Sequence, residues 1–215
     1  MAALPGARTA ALPPACLLHA GLLDMSQPPN GLERVLIAIG CGCLTTVGIN
    51  LADAMSFQRA AAQTFEHQLV APAPVGLPGQ SVSAISAVEH SVIGRLEIPR
   101  LNVSVMVMEG DDDATLARAV GHVSGTALPW ESGNAVMAGH RDTFFRPLKD
   151  LRSGDAIRMT TARGTFDYHV VRTEIVKPDD VSSLAPTSVR TLTLVTCYPF
   201  TYVGPAPERF VIHAR

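Results

Sequence analysis

Charge of one sign is what this sequence has least of: 17 Lys and Arg stand against 19 Asp and Glu, and no long basic run occurs. A protein that grips phosphate backbones needs a basic stripe, so nucleic-acid binding has no electrostatic footprint here. Paired metal ligands are also missing. His67, His90, His122, His169 and His213 are scattered without the close spacing that a zinc site requires, and no metal or cofactor is expected. His169 and His213 fall in strand-like runs and read as barrel-face residues, His122 as loop structure. Cysteine is sparse where a disulfide would need it. Of Cys16, Cys41, Cys43 and Cys197, only Cys197 lies in the later, globular-looking part, and one thiol cannot close a bridge by itself. No internal repeat is visible, and 215 residues leave room for one ordinary domain with extras.

What the chain does have is a concentrated block of apolar residues. From Val35 to Ala52 it runs nearly free of charge over about the length that crosses a bilayer, with Arg34 on its N-terminal side. The positive-inside bias then puts the N-terminus in the cytoplasm and the rest outside. A cleaved signal peptide is the rival reading, because Ala52-Asp-Ala54 has the small-x-small form of a cleavage site. The expected division is a tail over 1–34 (with Met25 as a candidate start), a transmembrane anchor over 35–54, a juxtamembrane helix and linker over 55–89, and a globular domain over 90–215. Phe57, Ala61, Phe65 and Leu69 are spaced four apart and mark one helical face. The Pro- and Gly-rich run Ala71–Gly79 should break that helix. Nothing before His90 is expected to contribute to the core of the domain.

After His90 the pattern changes to short β-like runs divided by turns. Strands are predicted at Ile93–Ile98, Val103–Met108, Ala135–Ala138, Ala156–Thr160, Thr165–Val171, Glu174–Lys177, Thr191–Thr196 and Arg209–Ala214, with a hairpin turn at Arg163-Gly164. One short helix is predicted over Asp113–Val120 with Asp113 as its N-cap, and Asp111 and Asp112 as a solvated loop before it. Calcium binding by these aspartates is a lesser alternative. Many short strands with scarce helical signal point to a closed or nearly closed β-barrel.

Three places carry candidate chemistry. Met137-Ala-Gly-His140-Arg-Asp-Thr-Phe-Phe145 puts a His where an apolar strand turns into a loop. Thr193-Leu-Val-Thr-Cys197-Tyr-Pro-Phe200 puts a Cys at a strand end, and Glu208-Arg209-Phe-Val-Ile212 opens the last strand with an Arg. A thiol needs a route to thiolate, which a neighbouring imidazole can supply before it protonates a departing amine. A guanidinium and backbone N–H groups can hold the oxyanion of the tetrahedral intermediate. Cys, His and Arg suffice for acyl transfer if they converge in space, which spacing along the chain does not establish. The triplet His140-Arg-Asp142 copies the start of a kinase catalytic loop, but its downstream partners are missing.

Thr193-Leu-Val-Thr-Cys197 resembles the Thr-Leu-x-Thr-Cys motif of sortases, and the run to Phe200 resembles their class D branch. Gly139-His140-Arg141 resembles the family's histidine motif and Ala206-Pro-Glu-Arg209-Phe-Val its arginine motif. Ile93–Pro99 and Gly125–Pro129 fit as well, so the resemblance covers about His90 to Arg215. It implies a mostly β fold, a closed sortase-type β-barrel of about eight strands with short helices and a site at one end, behind the transmembrane helix. It implies Cys197 as nucleophile, His140 as general acid/base, Arg209 as substrate and oxyanion partner, and Thr196 as oxyanion or supporting residue. It also implies a C-terminal sorting signal like Leu-Pro-x-Thr-Gly or Leu-Pro-x-Thr-Ala, cut after Thr through a thioacyl-enzyme. The acceptor would be an amine of peptidoglycan or a protein lysine. The segment Val176–Val189 corresponds to the loop that contributes to the peptide pocket. Trp130-Glu131 departs from the small residues common there, and the Asp-Pro-aromatic lid of pilin polymerases is missing from the linker. Two rivals remain: a thiol peptidase that ends in hydrolysis, and an inactive sortase-like scaffold on the membrane.

Overall fold

The computed structural model describes residues 30–70 and 90–215. The expected linker over 71–89 and the candidate start at Met25 lie outside the described residues. The chain divides into two compact units, one ending at Leu44 and one running from Thr45 to Arg215.

A single helix, α1 (Gly31–Val70), runs without a break through the expected anchor and juxtamembrane segments. The Glu33 carboxylate accepts from the Asn30 N–H at 2.9 Å, as in a capping box. Its apolar stretch is long enough to cross a membrane, and none of it is buried within the protein. No residue between 31 and 70 breaks the helix, so the stop comes only near the Pro-rich run.

The second unit is a closed barrel in the order β1-β2-β3-β4-β7-β8-β6-β5. Its strands are β1 (Val92–Ile98), β2 (Val103–Glu109), β3 (Val120–His122), β4 (Asn134–Ala138), β5 (Ala156–Thr161), β6 (Gly164–Val176), β7 (Thr191–Tyr198) and β8 (Glu208–Ala214). Alternation along each strand fills the interior with Leu96, Ile98, Val107, Met137, Ile157, Met159, Leu192, Leu194 and Ile212, all almost fully buried. Tyr168 joins them, and its hydroxyl donates to the Pro129 carbonyl at 3.1 Å. Burial pushes that phenol up to about 12. Two pairings are parallel, β2 with β3 and β4 with β7, and the rest are antiparallel.

The interior core contains no residue of α1 among those described. Outside the barrel, however, Ala61 and Phe65 pack on Met106 in a satellite cluster. Burying a Phe side chain is worth about 1.5–3 kcal/mol. Gln58 adds a polar tie, accepting from the Met106 N–H at 2.8 Å and donating to the Arg118 carbonyl at 2.7 Å. The helix therefore covers barrel surface as well as continuing an apolar segment.

Three local expectations need correction. The short helix α2 (Asp113–Arg118) is capped by Asp112, whose carboxylate accepts from the N–H groups of Ala114 and Thr115. A further bond from the Thr115 hydroxyl at 2.8 Å, followed by those N–H bonds, holds the Asp112 carboxyl below its ordinary range. His122 lies in β3, a strand too short to show a period. There it is buried, with Nδ1 2.7 Å from Glu109 Oε2. The two runs Thr165–Val171 and Glu174–Lys177 are one 13-residue strand, because a bulge between Val170 and Arg172 resets the alternation without ending the ladder. At Trp130-Glu131 the ring carries the Arg163 guanidinium 4.7 Å above it, and Glu131 accepts from the Leu128 N–H.

Candidate active site

Strand register decides which of the candidate residues meet. In the antiparallel pair of β7 and β8, Cys197 stands directly opposite Arg209, which puts their side chains on the same face at roughly 5 Å between Cβ atoms. In the parallel pair of β4 and β7, Ala138 is level with Val195. The Gly139 N–H extends that pairing to the Val195 carbonyl at 3.1 Å. Carried two residues further, past the end of β4, the same register would bring His140 level with Cys197. The thiol thus has Arg209 directly opposite on its β8 side and, on its β4 side, the strand end that leads into His140, at one end of the barrel. It is a free thiol, partly accessible.

Cys197 and Arg209 lie on the outer face of the sheet. Leu192 and Leu194 point into the core, so Thr193, Val195 and Cys197 point outward. Val136 and Ala138 on β4 and Val211 on β8 share that face. With Val176 and the loop residues Pro178, Val181 and Leu184 they line a groove, and Arg209 lines it too. Most of the residues that line the groove are apolar, and Asp111, Asp180, Ser183 and Arg209 are its polar members.

Thr196 faces the other way. It is buried, and its hydroxyl donates to the Gly139 carbonyl at 2.7 Å. That bond ties β7 to the residue before His140. Gly139 cannot carry a larger side chain, since a Cβ there would sit 2.7 Å from the ring of buried Phe145. The Arg209 Nη1 donates to the carbonyls of Glu208 at 3.0 Å and Ala206 at 3.3 Å, which fixes the plane of its guanidinium.

A polar network holds the outer wall of the groove, the loop after β6. Glu174 accepts from the Ser183 hydroxyl at 3.0 Å, from Arg172, and from His213 Nε2 at 2.8 Å. Asn134 donates to the carbonyls of Ser183 and Ala185, each at 3.2 Å, and accepts from the Thr193 hydroxyl at 2.7 Å. Burial alone would raise the Glu174 carboxyl, but the hydrogen bonds from His213, Arg172 and Ser183 together outweigh it and bring it down to about 2. A carboxyl depressed in the folded state stabilises it fully above the ordinary value of 4.5 and loses that contribution as pH falls towards 2. Denaturant unfolding should therefore show Glu174→Gln less stable than the parent at pH 6, with the gap closing between pH 4.5 and 2. A gap independent of pH would mean that the carboxylate charge is not what holds the wall.

Sequence reasoning did not find this network, nor Arg141, which is buried beside His140 and bonded to three distant carbonyls. The network's members come from four strands and the loop after β6, and carbonyl acceptors leave no residue-type signature. Only the Gly139-His140-Arg141 motif pointed to that neighbourhood.

Among the described residues no group of His, Cys, Asp and Glu is arranged to hold a metal ion. The fold and site define a class, a closed barrel with a free thiol paired across strands to a guanidinium that lines a neighbouring groove. Residues 96–215 match the sortase domain family, and the chain belongs to the sortase family. It is 42% identical over 123 residues to Sortase D of Bacillus subtilis (strain 168), covering 57% of this chain and 62% of that protein. That likeness agrees with the class D resemblance of the Thr193–Phe200 run. Among solved structures, a Sortase D5 transpeptidase of Clostridium perfringens has the same fold, with a TM-score of 0.63 at 24% identity over 74% of this chain and 98% of that one. Sortase C-1 of Actinomyces oris matches with a TM-score of 0.52 at 32% identity, covering 56% and 71%.

Proposed function

We propose that this chain is a membrane-anchored cysteine transpeptidase that cuts a Leu-Pro-x-Thr-Gly- or Leu-Pro-x-Thr-Ala-like signal after Thr and transfers the acyl group to an amine. The observation that supports the reading is the register that sets Cys197 opposite Arg209, a residue of the groove lining, beside the strand end that leads into His140. The signal peptide lies in that groove with its Leu and Pro against the valine-rich floor. The Cys197 thiolate attacks the Thr carbonyl carbon, and the carbonyl π electrons move onto oxygen. Arg209, with Nη1 already committed to backbone carbonyls, offers its remaining donors to that oxyanion and to the substrate. Collapse breaks the C–N bond, His140 gives its proton to the leaving amine, and a thioester remains. An incoming amine of peptidoglycan or a protein lysine loses a proton to His140, attacks the thioester and releases the thiolate. Thr196 supports the oxyanion side as a strut, since its hydroxyl is bonded to Gly139 and keeps the two strand ends together.

Incubating the protein with Leu-Pro-x-Thr-Gly and Leu-Pro-x-Thr-Ala peptides, with and without glycine-terminated and lysine amines, tests this by mass spectrometry. A product gaining the mass of the amine is expected. Cleavage that yields only the free acid, whatever the amine, would replace transpeptidation by thiol-dependent hydrolysis. No cleavage at all would leave the scaffold reading.

The exposed apolar helix supports a single-pass anchor with the barrel on the extracytoplasmic side. The full chain should stay in the membrane fraction after carbonate washing. Release as a shortened soluble form starting near Met55 would instead mean that Ala52-Asp-Ala54 is a cleavage site.

A further inference from the structure

We infer that Arg141 is a positioning residue that keeps His140 opposite Cys197 by bolting the loop after β4 to the chain that leaves β7. The inference rests on the roles proposed for His140 and Cys197. Regular pairing between β4 and β7 ends at Ala138 and Val195, and one more backbone bond follows, from Gly139 to Val195. His140 itself is exposed and stands just past the ladder. The Thr196–Gly139 bond holds the residue before it and the Phe145 N–H donates to the His140 carbonyl at 3.2 Å, but neither ties the loop after His140 to the chain beyond Cys197.

Arg141 supplies that tie. Its side chain is nearly fully buried, and the guanidinium reaches over to residues 199–204. Nη1 donates to the Pro199 carbonyl at 3.0 Å, while Nη2 donates to those of Tyr202 at 2.6 Å and Gly204 at 3.1 Å. Pro199 is two residues past Cys197, and Arg141 is one past His140. The fork thus closes a short circuit from the thiol to the imidazole through Tyr198, Pro199 and Arg141. Because the guanidinium is planar and rigid, three bonds from two of its nitrogens fix direction as well as distance.

The manner of burial argues for placement over a simple ion pair. Burying a cation is costly unless its donors are met. The carboxylate beside it, Asp142, is 3.5 Å away and 64% exposed, so the buried donors are met by neutral carbonyls. A carbonyl cradle offers less charge compensation than a buried carboxylate, but it grips the main chain, which is what sets loop position. The Tyr202 ring, 6.0 Å from the guanidinium carbon, closes the cradle.

The test uses the purified full chain in detergent and a mixture of quenched Leu-Pro-x-Thr-Gly and Leu-Pro-x-Thr-Ala peptides. Rates are read for the parent, Arg141→Met, Arg141→Lys and His140→Ala, well below each melting midpoint, with circular dichroism to confirm folding. Arg141→Met should lower kcat by roughly ten- to a hundredfold, the cost of misplacing a catalytic group by about an ångström, while KM stays within about twofold because the groove is untouched. Arg141→Lys should recover part of kcat. A folded Arg141→Met with kcat within about twofold of the parent, or with a change confined to KM, overturns the inference. If Arg141→Met does not fold, Arg141→Lys decides: lowered kcat at unchanged KM supports the role, and parental kcat refutes it. His140→Ala separates the two levels. Parental cleavage there would mean that the proposed active site itself is wrong, whereas loss there with parental Arg141 variants sinks only the positioning role.

Discussion

Cys197→Ala is expected to abolish both peptide cleavage and any covalent acyl-enzyme, with the barrel still folded. The thiol sits half-exposed on the outer face, so its removal opens no cavity in the core formed by Leu192, Leu194 and Ile212. The effect should therefore fall on chemistry alone. His140→Ala should cost about 10²–10⁴-fold in rate, the usual contribution of a positioned acid/base group. It should act on thiolate formation and on protonation of the leaving amine together. Mass spectrometry of the protein after mixing with peptide reads the acyl-enzyme, and circular dichroism checks the fold. Substantial cleavage by Cys197→Ala would remove the thiol mechanism altogether.

The second large effect is expected at Arg209. Lysine there keeps the charge but loses the planar fork, in which Nη1 is fixed by the Glu208 and Ala206 carbonyls. Losing one oriented oxyanion donor typically costs about 10²–10³ in kcat, or about 2.7–4 kcal/mol. Arg209→Lys should approach that loss, and Arg209→Ala should match or exceed it. Single-turnover measurement of the first acylation isolates the step. Near-parental turnover by Arg209→Lys would mean that positive charge suffices and that orientation has no part.

The barrel was legible because most of its strands announce themselves. Ile93–Ile98, Val103–Met108 and Thr191–Thr196 alternate or run apolar between turn residues, and the structure places strands on each. What stayed hidden was short or shared. The three-residue β3 has no room for a period, and the bulge in β6 looked like a strand end. The N-cap fell one residue early because three consecutive aspartates offer equal caps and only backbone geometry chooses among them.

The site divides in the same way. Cys197, His140 and Arg209 stand in motifs that the sequence displays, since nucleophile, base and cation are residue types with distinctive chemistry. Their neighbourhood is set by tertiary structure: the parallel pairing of β4 with β7 joins segments more than fifty residues apart, and the antiparallel pairing of β7 with β8 sets Arg209 against Cys197. Thr196 shows the limit clearly. Its place before Cys197 is a matter of sequence, but strand alternation turns its hydroxyl away from the thiol face and onto Gly139. By itself the sequence determined the family resemblance, the long apolar segment, most strands and the three candidate catalytic side chains. These follow from local composition and period. Only the tertiary structure decided which face Cys197 and Arg209 share, that the valine floor and the Glu174 network form a walled groove beside them, and that Arg141 closes on three carbonyls. Those depend on register and on backbone acceptors, which are present in every residue and so leave no trace in the order of side chains.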